Sequence, residues 1–324
     1  MYGSLAVTPF QRFEESSFKD ILYEHYINHV ISSQRHKNLH NLLDSFFLSS
    51  GQQRFGNDIV SVMIKEEVAA SLSEINHYRR TNSWPWTEMQ LELLIYHCLC
   101  GLDALHSQFI SHENISPSNI YYSISKHAYV IGGFGSARKH LSLEESTDLA
   151  YGNLYYRSPE AKSSATGQGF NPFKNDVYAL GLSLLSSFFL ATPNNPETLV
   201  ASARANLKNS EAILRLLGLM VLPENERPTT RHLLELVRNR GLNNYRSYNR
   251  EDTLIQSLRY KRIASEEDAE AERRSIAQCY ENFFMAENAL QTNTELLHLY
   301  EVRNDRIQQA NYHMKIAENS HSHE

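Results

Sequence analysis

The chain has 324 residues, 41% hydrophobic and 21% charged, with a formal net charge of −6; this is the profile of a folded globular protein and excludes wholesale disorder. Three cysteines, Cys98, Cys100 and Cys279, an odd number with no C-x-x-C pair, exclude a disulfide scaffold and fit a reducing, cytoplasmic setting. The mild acidity leaves no broad cationic surface for nucleic acid. No apolar run approaches the ~20 residues of a spanning helix, so neither nucleic acid nor membrane is an expected partner.

In chain order, Ser4 to Phe10 (SLAVTPF) is short, apolar and β-branched and is predicted as a strand. Ser16 to Ser32 follows as a helix; within it His25 and His29, four residues apart, could share a metal, but without a third ligand nearby they are expected to be surface or lobe-interface histidines. Asp58 to Ile64 (DIVSVMI) is a second strand. Trp84 and Trp86 flank Pro85; packing against the helical body is expected, with an exposed docking spot as the alternative. Thr87 is predicted to cap a helix reaching Ser107, with Leu91, Leu94, Ile95, Cys98, Leu99, Leu102 and Leu105 on one face. Tyr178 to Ala191 (YALGLSLLSSFFLA) has the apolarity of a buried core helix. A small strand-bearing front and a larger helical back make an α+β arrangement with a cleft between.

The character changes after Gly241, because all 13 glycines and all 9 prolines lie at or before it. The stretch 242–324 is therefore expected to be mainly helical. From Ile276 a 3–4 spacing runs through Cys279, Phe283, Ala286, Leu290, Asn293, Leu297, Tyr300, Asn304, Ile307, Asn311 and Met314. It fits a helix folded onto the globular body or a coiled coil with a partner or a second copy, so self-association through 276–314 is a candidate interaction. The polar end, ENSHSHE, is expected to fray.

The chemistry concentrates in Ser111 to Ile120 (SHENISPSNI), Tyr129 to Arg138 (YVIGGFGSAR) and Tyr155 to Ala161 (YYRSPEA). In this order they resemble the catalytic loop H-R-D-L-K-P-x-N-I, the D-F-G segment and the A-P-E segment of the eukaryotic protein kinases. Asp176 to Gly181 (DVYALG) resembles the buried helix with its leading Asp, and Glu226 to Leu234 (ERPTTRHLL) the closing segment. Arg35 to Phe46 resembles the stretch after the regulatory helix, and Ser61 to Leu72 the interlobe hinge. The resemblance spans about Leu5 to Arg240. It implies a two-lobed protein kinase-like fold with residues 1–64 as a partial N-lobe, 65–241 as a C-lobe and 242–324 as a helical tail. Only seven residues precede Thr8, so the glycine-rich phosphate-covering turn is expected to be absent and the N-lobe truncated; an incomplete gene model is the alternative.

Phosphoryl transfer depends on positioned charge, and at the positions the resemblance assigns to it the charges are replaced. Thr8 stands where the family has its phosphate-binding lysine, and Asn114 where it has the catalytic Asp, with an amide that cannot act as a base. Ser116 replaces the loop lysine and Gly133 the magnesium-binding Asp; Asn119 alone of the metal-binding pair is retained. Glu24 is the candidate regulatory-helix glutamate, and with Thr8 opposite, the usual pair is not expected to form. Glu113 replaces the arginine that pairs with an activation-segment phosphate, so Ser142, Ser146 and Thr147 are not expected to switch the segment in the usual way. Asn153 replaces the common Thr of the substrate-side loop.

The packing positions are kept: His112 and Phe134 match the apolar column between the lobes, Asp176 the carboxylate that holds the catalytic loop, and Glu160 with Arg227 the ion pair of the lower lobe. Gly135, Pro117, Pro159, Gly181 and Pro228 match backbone-shaping positions. This division implies a pseudokinase, a scaffold or regulatory module with protein partners, among them an active kinase, and with neither magnesium nor another cofactor expected. The alternative is a weak Ser/Thr-type kinase or an ATP-binding protein of unusual chemistry.

Overall fold

The computed structural model describes residues 3–9, 15–49, 59–123, 125–164, 167, 169–191, 198–201 and 212–238. The predicted helical tail over 242–324, its seam from Ile276 to Met314 and Cys279 lie outside these residues. Among the described residues contacts divide the chain into two compact units, one of 3–6, 15–45 and 63–238, the other of 7–9, 46–49 and 59–62.

Strands β1 (Gly3–Pro9), β2 (Leu42–Ser49) and β3 (Ile59–Glu66) form a sheet in the order β1-β3-β2. The first and third are the two predicted strands, displaced by a residue or two; β-branched side chains suit a pleated surface. The predicted N-terminal helix is α1 (Glu15–Ser33), which buries Ile27 and Ile31 completely. On its other side His25 Nδ1 and His29 Nε2 both meet Ser45 Oγ, at 3.1 and 2.8 Å. Both histidines therefore spend a ring nitrogen on a hydroxyl, and the described residues hold no cluster of three metal-ligating side chains.

Three short strands, β4 (Ala70–Ser71), β6 (Ile120–Ser123) and β7 (Ala128–Ile131), make a second, antiparallel sheet in the order β4-β6-β7. Its register pairs Ile120 with Ile131. The loop before β6 and the turn after β7 therefore emerge side by side, which brings the segment around Asn119 against Gly132 and Gly133. A further pair, β5 (Ile110–Ser111) with β8 (Arg138–Lys139), joins the start of the loop to the chain beyond the turn.

The helical body contains α2 (Leu72–Thr81), α3 (Glu88–His106), the short α4 (Pro159–Ser163), α5 (Pro172–Phe188), α6 (Ala212–Met220) and α7 (Thr230–Arg238). Thr87 caps α3 as predicted: its hydroxyl accepts from the Gln90 N–H while the Gln90 side chain accepts from the Thr87 N–H. Within α5 every residue other than Lys174 and Phe188 is buried, as the apolar run predicts, although the helix begins six residues earlier. At roughly 1.5–3 kcal/mol for each fully buried large apolar side chain, α5 is the principal apolar anchor of this body. Gly181 lets α6 approach it: a Cβ there would lie 2.6 Å from the Met220 Cβ. None of the described helices is long and apolar enough to cross a membrane.

The tryptophan pair divides. Trp86 is buried, donates to Asn76 Oδ1 at 3.0 Å and lies under the Arg79 guanidinium at 3.9 Å. Trp84 remains half exposed with its edge against Tyr78. Packing therefore describes the second ring and only in part the first.

Candidate functional site

The loop His112–Asn119 is built around one buried carboxylate. Asp176, in the first turns of α5 and wholly inaccessible, accepts the His112 N–H on Oδ2 at 2.7 Å and the Glu113 N–H on Oδ1 at 2.8 Å. Oδ2 also meets His106 Nε2 at 3.1 Å, and His106 Nδ1 reaches the Thr230 hydroxyl at 2.8 Å. Two successive N–H groups aimed at one carboxylate bend the backbone, and Glu113 takes a left-handed φ of 59°. The His112 ring is fixed as well: Nδ1 accepts the Asn114 N–H at 3.2 Å and Nε2 donates to the Gly132 carbonyl at 2.8 Å. Complete burial lowers its pKa, so the ring is neutral with its proton on Nε2. Phe134 meets it edge-on, with ring centroids 5.5 Å apart.

The polar end of the loop is closed upon itself. Asn114 Oδ1 accepts the Asn153 N–H at 3.0 Å, and the Asn114 carbonyl accepts Asn119 Nδ2 at 2.8 Å. Ser116 is buried, with its carbonyl accepting the Asn119 N–H at 2.9 Å; no ammonium group stands there. Gly133 has a left-handed backbone, φ 78° and ψ 49°, and a Cβ on it would lie 2.5 Å from the amide carbon of Asn119. The amide fills the place a side chain at 133 would take.

Magnesium prefers octahedral oxygen ligands including one or two carboxylates. Here position 133 supplies none, which leaves of the pair only the uncharged Oδ1 of Asn119, whose Nδ2 is hydrogen-bonded to the Asn114 carbonyl. These residues do not fit a magnesium ion, and no phosphoryl-transfer step is derived through one.

Thr8 stands on β1. A different lysine lies near the regulatory helix. Lys65, near the end of β3 and mostly buried, has its pKa lowered by desolvation, with the Glu24 carboxylate of α1 acting in the opposite sense. A Cβ on Gly135 would lie 3.4 Å from Glu24 Oε1, so this carboxylate also borders the turn after β7. The helix is fastened further by Tyr23, whose hydroxyl accepts the Lys139 N–H at 2.9 Å, and by Asp20, 3.9 Å from the Arg138 guanidinium. The sequence reading assigned Glu24 no lysine to face. The available signal was Lys65 itself, one cation in the otherwise apolar run SVMIK.

Beyond the turn, Gly152 approaches the loop so closely that a Cβ would lie 2.8 Å from Asn114 Cα. Arg157 shapes the following bend by donating to the Tyr151 and Gly152 carbonyls at 3.1 and 2.8 Å. Glu113, at the position of the phosphate-pairing arginine, is buried; its Oε1 accepts the Ser111 hydroxyl at 2.8 Å and lies 3.7 Å from His140 Nε2. At the base of the helical body Arg227 is buried and donates to Glu160 at 3.2 and 3.3 Å, to the Leu222 carbonyl at 2.8 and 3.0 Å and to the Lys174 carbonyl at 2.8 Å. Burial works against the Glu160 anion, but the Arg227 charge outweighs it and the pKa is lowered.

A carboxylate-anchored loop, a turn after an antiparallel hairpin and a helical body around α5 define the architecture of the protein kinases. The description "Protein kinase domain" applies to a family match over residues 9–285, and the chain belongs to that family. Among curated relatives it is 27% identical over 170 residues to "Serine/threonine-protein kinase ksp1" of Schizosaccharomyces pombe, covering 50% of this chain and 33% of that protein. It is 26% identical over 163 residues to "Glycogen synthase kinase 1" of Pyricularia oryzae, covering 50% of the chain and 39% of the relative. With "Mitogen-activated protein kinase kinase 7" of Arabidopsis thaliana it shares 30% identity over 111 residues, 34% of the chain and 36% of the relative. The chain thus spans a third to two fifths of the length of these relatives.

Proposed function

We propose that the protein is a pseudokinase: a kinase-like domain without phosphoryl-transfer activity that acts as a scaffold or regulatory binding module. The observation that carries this reading is the pairing of Gly133 with Asn119, in which a carboxamide fills the space that a metal-binding carboxylate would need. Asn114 supports it, since a neutral amide hydrogen-bonded to Asn153 offers a substrate hydroxyl no base. Large apolar side chains left in solvent along the activation segment, Leu141, Leu149, Leu154 and Tyr155, favour contact with another protein. The partners of this reading are proteins, an active kinase among them, with the tail over 242–324 as a second point of attachment.

The enzyme reading has its own support. Lys65 offers a cation that interacts with Glu24, the carboxylate bordering the turn after β7, and each of the relatives above bears the name of a kinase. Thermal unfolding with millimolar ATP, with and without magnesium, separates the two. The pseudokinase reading expects no magnesium-dependent stabilisation and no transfer of labelled phosphate to protein or peptide. A magnesium-dependent rise in Tm that Asn119→Ala abolishes, accompanied by phosphate transfer, sinks it.

A further inference from the structure

We propose that the imidazolium of His140 clasps the activation segment to the catalytic loop, bridging Glu113 and Glu145 and so fastening the segment with a proton where an active kinase uses a phosphate. The role does not depend on whether the protein transfers phosphate.

The charge follows from hydrogen counting. Ser111 Oγ lies 2.8 Å from Glu113 Oε1 and 2.8 Å from His140 Nε2. The carboxylate and the Arg138 carbonyl, 3.4 Å from the same oxygen, can only accept, so the single hydroxyl hydrogen goes to one of these, Glu113 being the nearer, and the hydroxyl must accept from His140 Nε2. His140 Nδ1 lies 3.2 Å from Glu145 Oε1, again an acceptor. Both ring nitrogens therefore face acceptors, and both are satisfied as donors only in the cation.

Glu113 has the complementary need. Its side chain is 2% exposed and Oε2 has no hydrogen-bond partner among the described residues. A buried carboxylate this poorly hydrogen-bonded requires a nearby positive charge, and the His140 ring supplies it. On the segment side Glu145 Oε2 also accepts the Leu141 N–H at 2.7 Å, closing the turn 141–145 over the ring.

Among the described residues the surroundings contribute no competing cation. From α5 the edge of Phe173 contacts His140 at 5.1 Å, and the same ring meets His106 of α3 at 5.0 Å. Asp176, behind the loop, is engaged by His106 and the His112 and Glu113 N–H groups. The His140 N–H donates to the Phe109 carbonyl at 2.8 Å. Arg138, on β8, is turned toward Tyr151 and Tyr23.

The direction of titration agrees. Burial opposes protonation of His140, but hydrogen bonds and charge from Glu113 and Glu145 outweigh it and its pKa is raised above 6.5. Glu145 is lowered, first by the Leu141 N–H and then by His140. A raised histidine contributes its stabilisation in full below its ordinary value and loses it as pH climbs through the raised one. The clasp is thus closed below the ordinary histidine range, opens as pH rises through the raised His140 value, and opens again when acid protonates Glu145.

Two measurements on the full chain test this: an NMR titration of the His140 ring, and hydrogen exchange of amides 141–152, corrected for intrinsic rates, at about pH 6 and about pH 8.5. The expected result is a His140 midpoint above the ordinary histidine value, returning toward it in Glu145→Gln. Segment protection should fall between the two pH values, with that fall reduced in Glu145→Gln. Glu145 is largely solvated, so this variant leaves the fold intact, whereas His140→Gln is judged only where its melting matches wild type. A midpoint at or below the ordinary histidine value, or equal protection at both pH values in wild type, overturns the proposal.

Discussion

The two ends of one short loop make the instructive contrast in this molecule. At His112 and Glu113 each backbone N–H ends on the buried Asp176 carboxylate, whose second oxygen is shared with His106. At Asn114, Ser116 and Asn119, a few residues further, the hydrogen bonds are among neutral groups, and nothing charged is held ready for a ligand. The first end does structural work, which rewards satisfied groups. The second occupies the place of catalysis, which requires charge kept unsatisfied until substrate and metal arrive. Under the proposed reading the fold retains the one without the other, because the two make different demands on the same backbone.

This contrast can be tested from its costliest element downward. Asp176→Ala removes the acceptor of two buried N–H groups and should destabilise the protein by about 3–5 kcal/mol, read as a lower urea midpoint. Arg227→Leu takes the guanidinium from Glu160, which keeps the Glu224 N–H, and from the Leu222 and Lys174 carbonyls; a loss of about 2–4 kcal/mol is expected, smaller than for Asp176 because Glu160 is partly solvated. Gly181→Ala should cost about 1–3 kcal/mol through overpacking against Met220, visible as a lower Tm. Asn114→Asp should alter stability by less than about 1 kcal/mol, and phosphate transfer should remain undetectable in a labelled-ATP assay, because Gly133 and Ser116 still lack the other charges. If instead Asn114→Asp unfolds the chain while Asp176→Ala does not, the division of labour within the loop is wrong.

Much of this organisation could be read from residue order alone. The Thr87 cap, the buried run of α5, the strands at β1 and β3 and the successive loop and turn segments are local patterns, and local patterns survive in one dimension. The pairings that matter most to the site are different in kind. Lys65 and Glu24 are far apart in sequence, and nothing in SVMIK says that its lysine lies near a particular turn of α1. His140 was equally silent, since its role arises from the β5–β8 pairing that carries it to Ser111 and Glu113. Trp84 and Trp86 show the same limit at short range: two identical side chains around one proline receive opposite environments because only one finds Asn76 and Arg79.

On the pseudokinase reading, the fit of Gly133 against Asn119 also bears on whether one substitution could supply a reaction. Introducing Asp at 133 requires the Asn119 amide to rotate away and release the Asn114 carbonyl, so the two positions are energetically coupled and their substitutions should not add. A single change there meets a collision before it offers any advantage. On that reading, a gain of activity would cross an intermediate sequence less stable than the starting one, which makes the amide a barrier as well as a filler of space.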